Sequence, residues 1–390
     1  MRVSPRSFQG ASSLALSLFA WAPVQGAHAT NILERDIAII GGSASGVYAA
    51  LRLREMNHSF AVVEERGSFG GHVATYTIPG TEKHIDYGAQ GFGGDEDAIT
   101  RFFGYYNIPL VRVRLSEVGF GNNRYVDFKT STELSDFHPD HNISILSREM
   151  HKYPEIGCIP CYQIRSPGIL LCPSGTSSSR LAAHRSDSRV VLVVGTPTGN
   201  KTIIAKKLLV TMPPIMANMA LLGLDTHEYN IFSRFEAQGW YVGLVSAPGF
   251  VSGDEFVNAA ANSQFNLPQL PALYQISPTR VAGIHFVRYG SSSYLNESRV
   301  KADIVRTVDR VRRAVVPNAA SLPPVELLAF SSHWPFSLRV SAANIAGGFY
   351  THLDALQGYK STWYTGATFS SSTASHVWNF TERLLPQIFP

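Results

Sequence analysis

Residues 36–66 read DIAIIGGSASGVYAALRLREMNHSFAVVEER, and this stretch decides the fold. Residues 36–40, apolar after Asp36, predict a short buried strand, and a glycine-rich turn follows them. Apolar residues recur at helical spacing over 47–56, and a second predicted strand at 60–63 ends at Glu64. A strand, a glycine turn, a helix and a strand closed by an acid are the pattern of a dinucleotide-binding unit.

Each residue of this turn meets a physical requirement of such a unit. Gly41 permits the sharp turn, and Gly46 lets the helix pack closely on the strand. Gly42 and Ser43 are placed so that backbone N–H groups can approach a pyrophosphate, with Ser43 at the motif's second glycine position. Glu64 can accept hydrogen bonds from a ribose. We therefore predict that these residues bind a dinucleotide cofactor.

The residues that follow the acid favour FAD over NAD. Arg66 precedes the paired glycines Gly70 and Gly71, then His72, and HIDYGAQGF follows at 84–92. This arrangement resembles the flavin-containing amine oxidase superfamily. The resemblance implies that the paired glycines let the backbone run close beside the flavin. His72 is a candidate to touch or tether the flavin. An NAD-only unit has no need of this extension.

Two further segments resemble parts of the same superfamily. WYTGAT at 363–368 predicts a strand and a glycine turn, and residues 371–385 predict a helix. The resemblance implies that Gly366 and Ala367 return to the cofactor, where the helix N-terminus stabilises negative charge on the flavin. AKKLLVTMPP at 205–214 resembles the strand that re-enters the FAD-binding domain.

FSSHWPF at 330–336 and the long stretch at 348–386 are most similar to fungal beta-cyclopiazonate dehydrogenase-like FAD-dependent oxidoreductases. This resemblance implies oxidation of a small metabolite, an amine or an aromatic or alkaloid-like compound of secondary metabolism. A hydride passes to the flavin, and O₂ is the final acceptor. We predict His333 as the catalytic residue. Trp334, Trp363 and Tyr364 could form walls that align a flat substrate, but aromatic residues at strand ends are more often part of a core.

These matches predict an α/β protein with two parts. The first is a Rossmann-like FAD-binding domain of the glutathione-reductase type, assembled from 36–110, 189–215 and 331–390. The second is a mixed α+β substrate lobe from 111–188 and 216–330, in which we expect a mixed sheet with helices covering one face.

The composition excludes several other classes of protein. Of the 390 residues, 45% are hydrophobic and 16% charged, which is unlike a disordered chain. The formal net charge of +4 is small and dispersed, so no nucleic-acid partner is expected. Beyond the N-terminal segment no apolar run is long enough to span a bilayer, so no stable membrane insertion is expected.

Residues 1–29 have the pattern of a secretory signal peptide. Arg2 and Arg6 precede a short apolar run, and the small residues Ala27 and Ala29 offer a cleavage site. We therefore expect the chain to enter the secretory pathway and be secreted or retained in a vesicle or the endoplasmic reticulum lumen. Secretory entry makes the Asn-x-Ser/Thr sequons candidate glycosylation sites, at Asn57, Asn142, Asn200, Asn296 and Asn379.

Residues 151–188 do not resemble the superfamily. They contain Cys158, Cys161 and Cys172 among proline, glycine and serine, with no clear periodicity. The CxxC pair suggests a redox pair or half a zinc site, but no second ligand pair follows, so no metal is predicted. This segment suggests a truncated substrate lobe.

Two other functions stay open at this stage. The atypical segment leaves room for a catalytically impaired flavin-fold accessory or binding protein. An NAD(P)H-dependent reductase or monooxygenase is less favoured, because the sequence shows no second glycine motif for a nicotinamide cofactor.

Overall fold

The structure is a computed structural model that describes residues 31–89, 91–93, 96–113, 122–135, 137, 156–158, 169–171, 181–197, 199–263 and 266–390. The predicted signal peptide at 1–29, the sequon at Asn142, and Cys161 and Cys172 lie outside the described residues.

Strands within the described residues are numbered here in chain order. They are β1 (Asn31–Ile40), β2 (Phe60–Val63), β3 (Thr75–Thr77), β4 (His84–Asp86), β5 (Gly91–Gly93), β6 (Val111–Val113), β7 (Asn122–Asp127), β8 (Thr132–Glu133), β9 (Ile156–Cys158), β10 (Ile169–Leu171), β11 (Leu181–Arg185), β12 (Val190–Thr196), β13 (Gly199–Val210), β14 (Glu236–Ser246), β15 (Asp254–Asn258), β16 (Ala272–Pro278), β17 (Ile284–Ser291), β18 (Glu326–Ser332), β19 (Phe336–Arg339) and β20 (Thr362–Tyr364).

The α-helices are numbered in the same way. They are α1 (Ala44–Glu55), α2 (Glu96–Tyr105), α3 (Met216–Met219), α4 (Thr226–Phe232), α5 (Glu297–Val315), α6 (Ala342–Ala346), α7 (Phe349–Asp354) and α8 (Ala374–Ile388). Across the described chain, none of these helices is long and apolar enough to cross a membrane.

A seven-stranded sheet joins three distant parts of the chain. Its order is β10, β2, β1, β13, β12, β11, with β20 also paired to β13. β1 lies between β2 and β13 and is parallel to both. The first part of β13 pairs with β12 and its last three residues pair with β20, so the C-terminal strand reaches the centre of the sheet.

The apolar run of β1 is explained by burial on both faces of this sheet. Ile37 and Ile39 face a core formed with α1 and α8, whereas Ala38 and Ile40 face a second core that includes residues of α3, α4 and α7. Because successive side chains of a strand point to opposite faces, a strand covered on both sides needs consecutive apolar residues. The predicted dinucleotide-binding unit is therefore confirmed as strand, turn, helix and strand.

An eight-stranded sheet forms the second part of the fold. Its order is β18, β14, β17, β16, β15, β7, β8, with β19 also paired to β14. Most neighbours are antiparallel, but β7 and β15 are parallel. Helix α5 packs Val300, Ile304, Val308 and Val311 into the core of this sheet. The expectation of a mixed sheet with a helix on one face is confirmed.

The smaller sheets and the last helix complete the description. β3 pairs with β4, and β9 lies between β5 and β6.

Helix α8 begins three residues later than predicted, because Ser371 and Thr373 hydroxyls bond to each other and to the His376 ring before the first turn. β11 lies in the atypical segment and pairs with β12. The division of the chain into domains stays a prediction.

Candidate cofactor and substrate site

The turn after β1 has room only for glycine at two positions. Gly41 has φ of +104°, and a Cβ there would overlap the hydroxyl of Thr211. A Cβ on Gly46 would overlap the carbonyl oxygen of Gly41. The Thr211 hydroxyl fixes this geometry by donating to the carbonyls of Ile40 and Gly41, at 3.1 and 3.0 Å. The turn is therefore compact, and Thr211, which directly follows β13, holds it in place.

Glu64 lies at the end of β2 and closes the turn from the other side. Its carboxylate accepts hydrogen bonds from the backbone N–H groups of Gly42 and Arg66, the second at 2.9 Å. The ring of Phe69 packs so closely on Gly42 that a Cβ there would overlap it. The acid predicted to bind a ribose is thus beside the backbone predicted to approach the phosphates.

The paired glycines contact the first turn directly. Gly70 and Gly71 have φ of +127° and +58°, and the Gly70 N–H donates to the carbonyl of Gly42 at 3.0 Å. A Cβ on Gly71 would lie 2.8 Å from the Cβ of Ser43. The Arg66 guanidinium donates to the Gly71 carbonyl at 3.1 Å, which links the segment that follows β2 to the paired glycines.

The C-terminal turn reaches the same place. Gly366 has φ of +118°, and a Cβ there would lie 3.2 Å from the carbonyl oxygen of Thr211. The Thr365 N–H donates to the Val210 carbonyl at 3.0 Å, and the Thr365 and Thr381 hydroxyls are 2.9 Å apart. Ala367 is exposed and begins a short 3₁₀ turn. Gly366 and the glycine turn therefore share Thr211 as a neighbour.

Helix α8 is held against α1 by hydrogen bonds and ring stacking. The Trp378 indole N–H donates to the carbonyl of Ala44 at 3.2 Å, and the Trp378 ring stacks on Tyr48 at 4.8 Å. The Tyr48 hydroxyl donates to Glu382 at 2.7 Å, and Arg52 also bonds to Glu382. These contacts fix the first turn of α1, which directly follows the glycine turn.

Two histidines from opposite ends of the chain meet next to the paired glycines. The rings of His72 and His333 stack with centroids 4.1 Å apart and planes 16° from parallel. The backbone N–H of His333 donates to the Trp240 carbonyl at 2.8 Å. Phe336 lies 5.8 Å from His72, ring centroid to ring centroid, and 6.1 Å from Trp240. His333 is thus fixed by strand β14 of the eight-stranded sheet and by the loop of the paired glycines.

Burial keeps both histidines uncharged. It lowers the pKa of His72 to about 4, with a smaller contribution from the positive charge of Arg66. The pKa of His333 is lowered to about 3, first by burial and then by His72 and Arg66. Within the described part of the chain, the His333 Nε2 atom is buried and has no hydrogen-bond partner. An orphaned buried nitrogen of this kind needs a ligand or water as its partner.

A cleft of about 420 Å³ lies between Arg66 and the edge of the eight-stranded sheet. Its lining consists of Arg66, Tyr294, Glu297, Phe330, Ser331, Ser332 and Trp334. Trp334 lines this cleft, and its ring meets that of Tyr294 at 5.5 Å. Trp363 and Tyr364 are 7% and 1% exposed and belong to the cores around the seven-stranded sheet, which is the alternative that the sequence left open.

Sequence reasoning missed three residues of the site. Thr211 carries no local signal beyond its place at the end of a predicted strand, because its partners, the carbonyls of Ile40 and Gly41, lie 170 or more residues earlier. Trp240 and Phe336 carry no local signal, because their position beside the histidines depends on the pairing of β14 with β19.

The predicted residues fit a dinucleotide cofactor. The turn excludes a Cβ at Gly41 and Gly46, so it keeps the tight backbone path of a phosphate-binding turn. The second loop is in contact with the first, and His333 presents an unused nitrogen. These residues would hold a flavin dinucleotide, although the Gly42 N–H is already bonded to Glu64 and the Phe69 ring packs on Gly42.

Comparison with known proteins agrees with this fit. Residues 39–106 match the NAD(P)-binding Rossmann-like domain. Two solved structures share the fold at 12% identity: a fatty acid isomerase from P. acnes (TM-score 0.67, 91% of this chain and 99% of that one) and putrescine oxidase (TM-score 0.61, 92% and 99%).

Curated relatives match the whole chain. FAD-dependent oxidoreductase dbaF of Emericella nidulans is 32% identical over 97% of both chains, and beta-cyclopiazonate dehydrogenase of Aspergillus oryzae is 26% identical over 100% of this chain and 99% of its own. The alignment with the first spans 463 positions, so that relative has residues without a counterpart here. The chain belongs to the family of fungal FAD-dependent oxidoreductases.

Proposed function

We propose that this chain is an FAD-dependent oxidase of a small metabolite, an amine or an aromatic or alkaloid-like compound of secondary metabolism. One observation carries the proposal: the glycine turn, the paired glycines and the C-terminal turn converge on Ser43 and Thr211, beside a buried histidine pair. Relatives named FAD-dependent oxidoreductase support the cofactor, and beta-cyclopiazonate dehydrogenase supports an alkaloid-like substrate.

The chemistry divides between the cofactor and the chain. Bound FAD supplies a hydride acceptor whose electrons pass on to O₂. The substrate loses a hydride and a proton, and O₂ gains the two electrons and two protons to give H₂O₂. The backbone at Ser43 would offer an N–H group to the phosphates, and Glu64, which already accepts from the Gly42 N–H, would also accept from the ribose. His333 stays neutral, so its buried Nε2, which has no partner among the described residues, would accept a hydrogen bond from a bound group.

The absorbance spectrum of the purified protein tests this proposal. We expect flavin absorbance that bleaches when a suitable amine or aromatic metabolite is added without oxygen, and H₂O₂ when oxygen returns. Acid precipitation shows whether the flavin stays with the protein or is released. Colourless protein that releases no flavin contradicts the proposal. Stoichiometric flavin that no candidate metabolite reduces would favour an accessory or binding protein.

A glycine substitution tests the cofactor site itself. In Gly46→Ala the new methyl group overlaps the Gly41 carbonyl oxygen, so the turn must shift away from the phosphates. Overpacking of this kind costs about 1–3 kcal/mol in stability. Where relief of this strain displaces the turn, we expect lower flavin affinity, and the same cost in binding would be a loss of about 5- to 150-fold. Gly67→Ala is the matched control, because a Cβ there meets nothing within 4 Å. Equal flavin content in the two variants would argue against phosphate binding at this turn.

We also propose that the chain enters the secretory pathway. The N-terminal charge and apolar run support this, as do the five sequons. N-terminal sequencing of protein expressed in a fungal host tests it, with Thr30 as the expected first residue of the mature chain.

A further inference from the structure

We propose that Asn296 carries an N-linked glycan whose first sugar packs on the ring of Tyr294, at the rim of the 420 Å³ cleft. The proposal rests on entry into the secretory pathway and goes beyond the oxidase activity. It selects one of five sequons on structural grounds.

The side chain of Asn296 leaves its reactive atom available. Asn296 is exposed and caps the N-terminus of α5, where its Oδ1 accepts from the Ser298 N–H at 2.9 Å. A glycan is attached to the amide nitrogen Nδ2, and no hydrogen bond within the described part of the chain uses that atom. Glycosylation therefore keeps the helix cap intact.

Tyr294 offers the sugar an adjacent apolar surface. It lies two residues before Asn296 and is 57% exposed. Trp334 meets its ring at 65°, which holds Tyr294 in place by an edge contact. The C–H face of a pyranose is apolar, and packing it on an aromatic ring buries surface from both partners. The glycan would thus stand at the α5 side of the cleft, next to Glu297.

The other sequons lack this combination. None of Asn57, Asn142, Asn200 and Asn379 has an aromatic residue two positions earlier in the sequence. Asn379 is half-buried in α8 and lines a cavity of about 340 Å³ with Phe380 and Arg383, where a glycan would collide with the helix surroundings. Asn200 is exposed on the β12–β13 hairpin, so it is compatible with a glycan and serves as an internal reference.

Three substitutions distinguish an effect on the glycan from an effect on the fold. Ser298→Ala destroys the sequon but leaves Asn296 as the cap, whereas Ser298→Thr preserves both. Tyr294→Ala preserves the sequon and removes the aromatic surface. Tyr350→Ala is the control for loss of an exposed tyrosine elsewhere, since Tyr350 is 45% exposed on α7.

Peptide mass spectrometry of protein secreted by a fungal host measures the result. We expect the Asn296 peptide of the wild type and Ser298→Thr to carry a glycan, and that of Ser298→Ala to carry none. Occupancy should fall in Tyr294→Ala and stay unchanged in Tyr350→Ala. Unmodified Asn296 beside glycosylated Asn200 overturns the proposal. If no sequon peptide carries a glycan, both the Asn296 proposal and secretory entry are overturned. Flavin absorbance of the same sample tests the oxidase proposal separately.

Discussion

At the scale of single residues, the site depends on compensation between neighbours. Ser43 occupies a motif position where glycine is usual, and its Cβ is tolerated because the facing residue, Gly71, has none. His72 and His333 show a related effect, since two stacked imidazoles 4.1 Å apart avoid repulsion only by staying neutral. The serine in the glycine motif and the uncharged histidines are each explained by the residue that faces them.

The histidine pair predicts a loss of stability in acid. Unfolding raises the pKa values from about 4 for His72 and about 3 for His333 to the ordinary 6.5. The unfolded chain therefore binds more protons in this range, and the pair's contribution, present above pH 6.5, is lost as pH falls toward 4. Urea unfolding near pH 7.5 and 4.5 measures it, and we expect a smaller pH effect in His333→Asn. His84→Gln, at an exposed histidine, should leave the effect unchanged; an equal reduction in both variants would contradict the explanation.

At the scale of elements, one buried ion pair connects two strands and a helix. Arg185 at the end of β11 donates to both oxygens of Glu228 in α4, at 2.7 and 2.8 Å, and to the Thr362 hydroxyl at the start of β20. The two charged side chains are 1% and 0% exposed. Tyr364 of β20 also reaches Glu228, at 3.4 Å, so this pair supports the strand that leads to Gly366.

Breaking this pair should be strongly destabilising. Glu228→Gln leaves the Arg185 charge buried without its partner, which costs about 3–5 kcal/mol in the free energy of unfolding. The double variant Arg185→Met with Glu228→Met should recover most of that loss, because it removes both charges. Denaturant titration measures each value. Arg339→Ala, which breaks an exposed pair with Glu236, is the control and should cost less than about 1 kcal/mol.

At the scale of the whole molecule, the cofactor site joins segments that are far apart in the chain. Thr211 of the middle segment contacts both the Gly41 turn and the Gly366 turn. A ligand seated there binds only the folded chain, so its binding energy adds to the stability of both sheets and of the helices that connect them.

FAD should therefore stabilise the whole protein more than FMN does. A ligand at about 100 times its Kd adds about 2.7 kcal/mol to the free energy of unfolding, which raises Tm by several degrees. FMN lacks the adenosine part whose ribose Glu64 is placed to bind. Thermal unfolding of flavin-free protein with each cofactor measures the difference, and equal shifts would contradict adenosine binding at Glu64.

The local part of the candidate site could be delimited from the sequence alone. Gly41, Gly42, Gly46 and Glu64 lie within one continuous segment, and the spacing of a strand, a turn and a helix is set by contacts between near neighbours. The bounds of helix α8 were predicted three residues too early, because the hydroxyl and histidine contacts at 371–376 carry no periodic signal.

By itself, then, the sequence determined the strand, glycine turn, helix and strand of the dinucleotide-binding unit, since apolar periodicity and glycine placement are properties of adjacent residues. Only the tertiary structure decided that His72 stacks on His333, that Thr211 holds the glycine turn, and that Trp363 is core. Those facts depend on which strands pair across more than a hundred residues. Such pairing is set by the packing of whole sheets, and short-range patterns do not encode it.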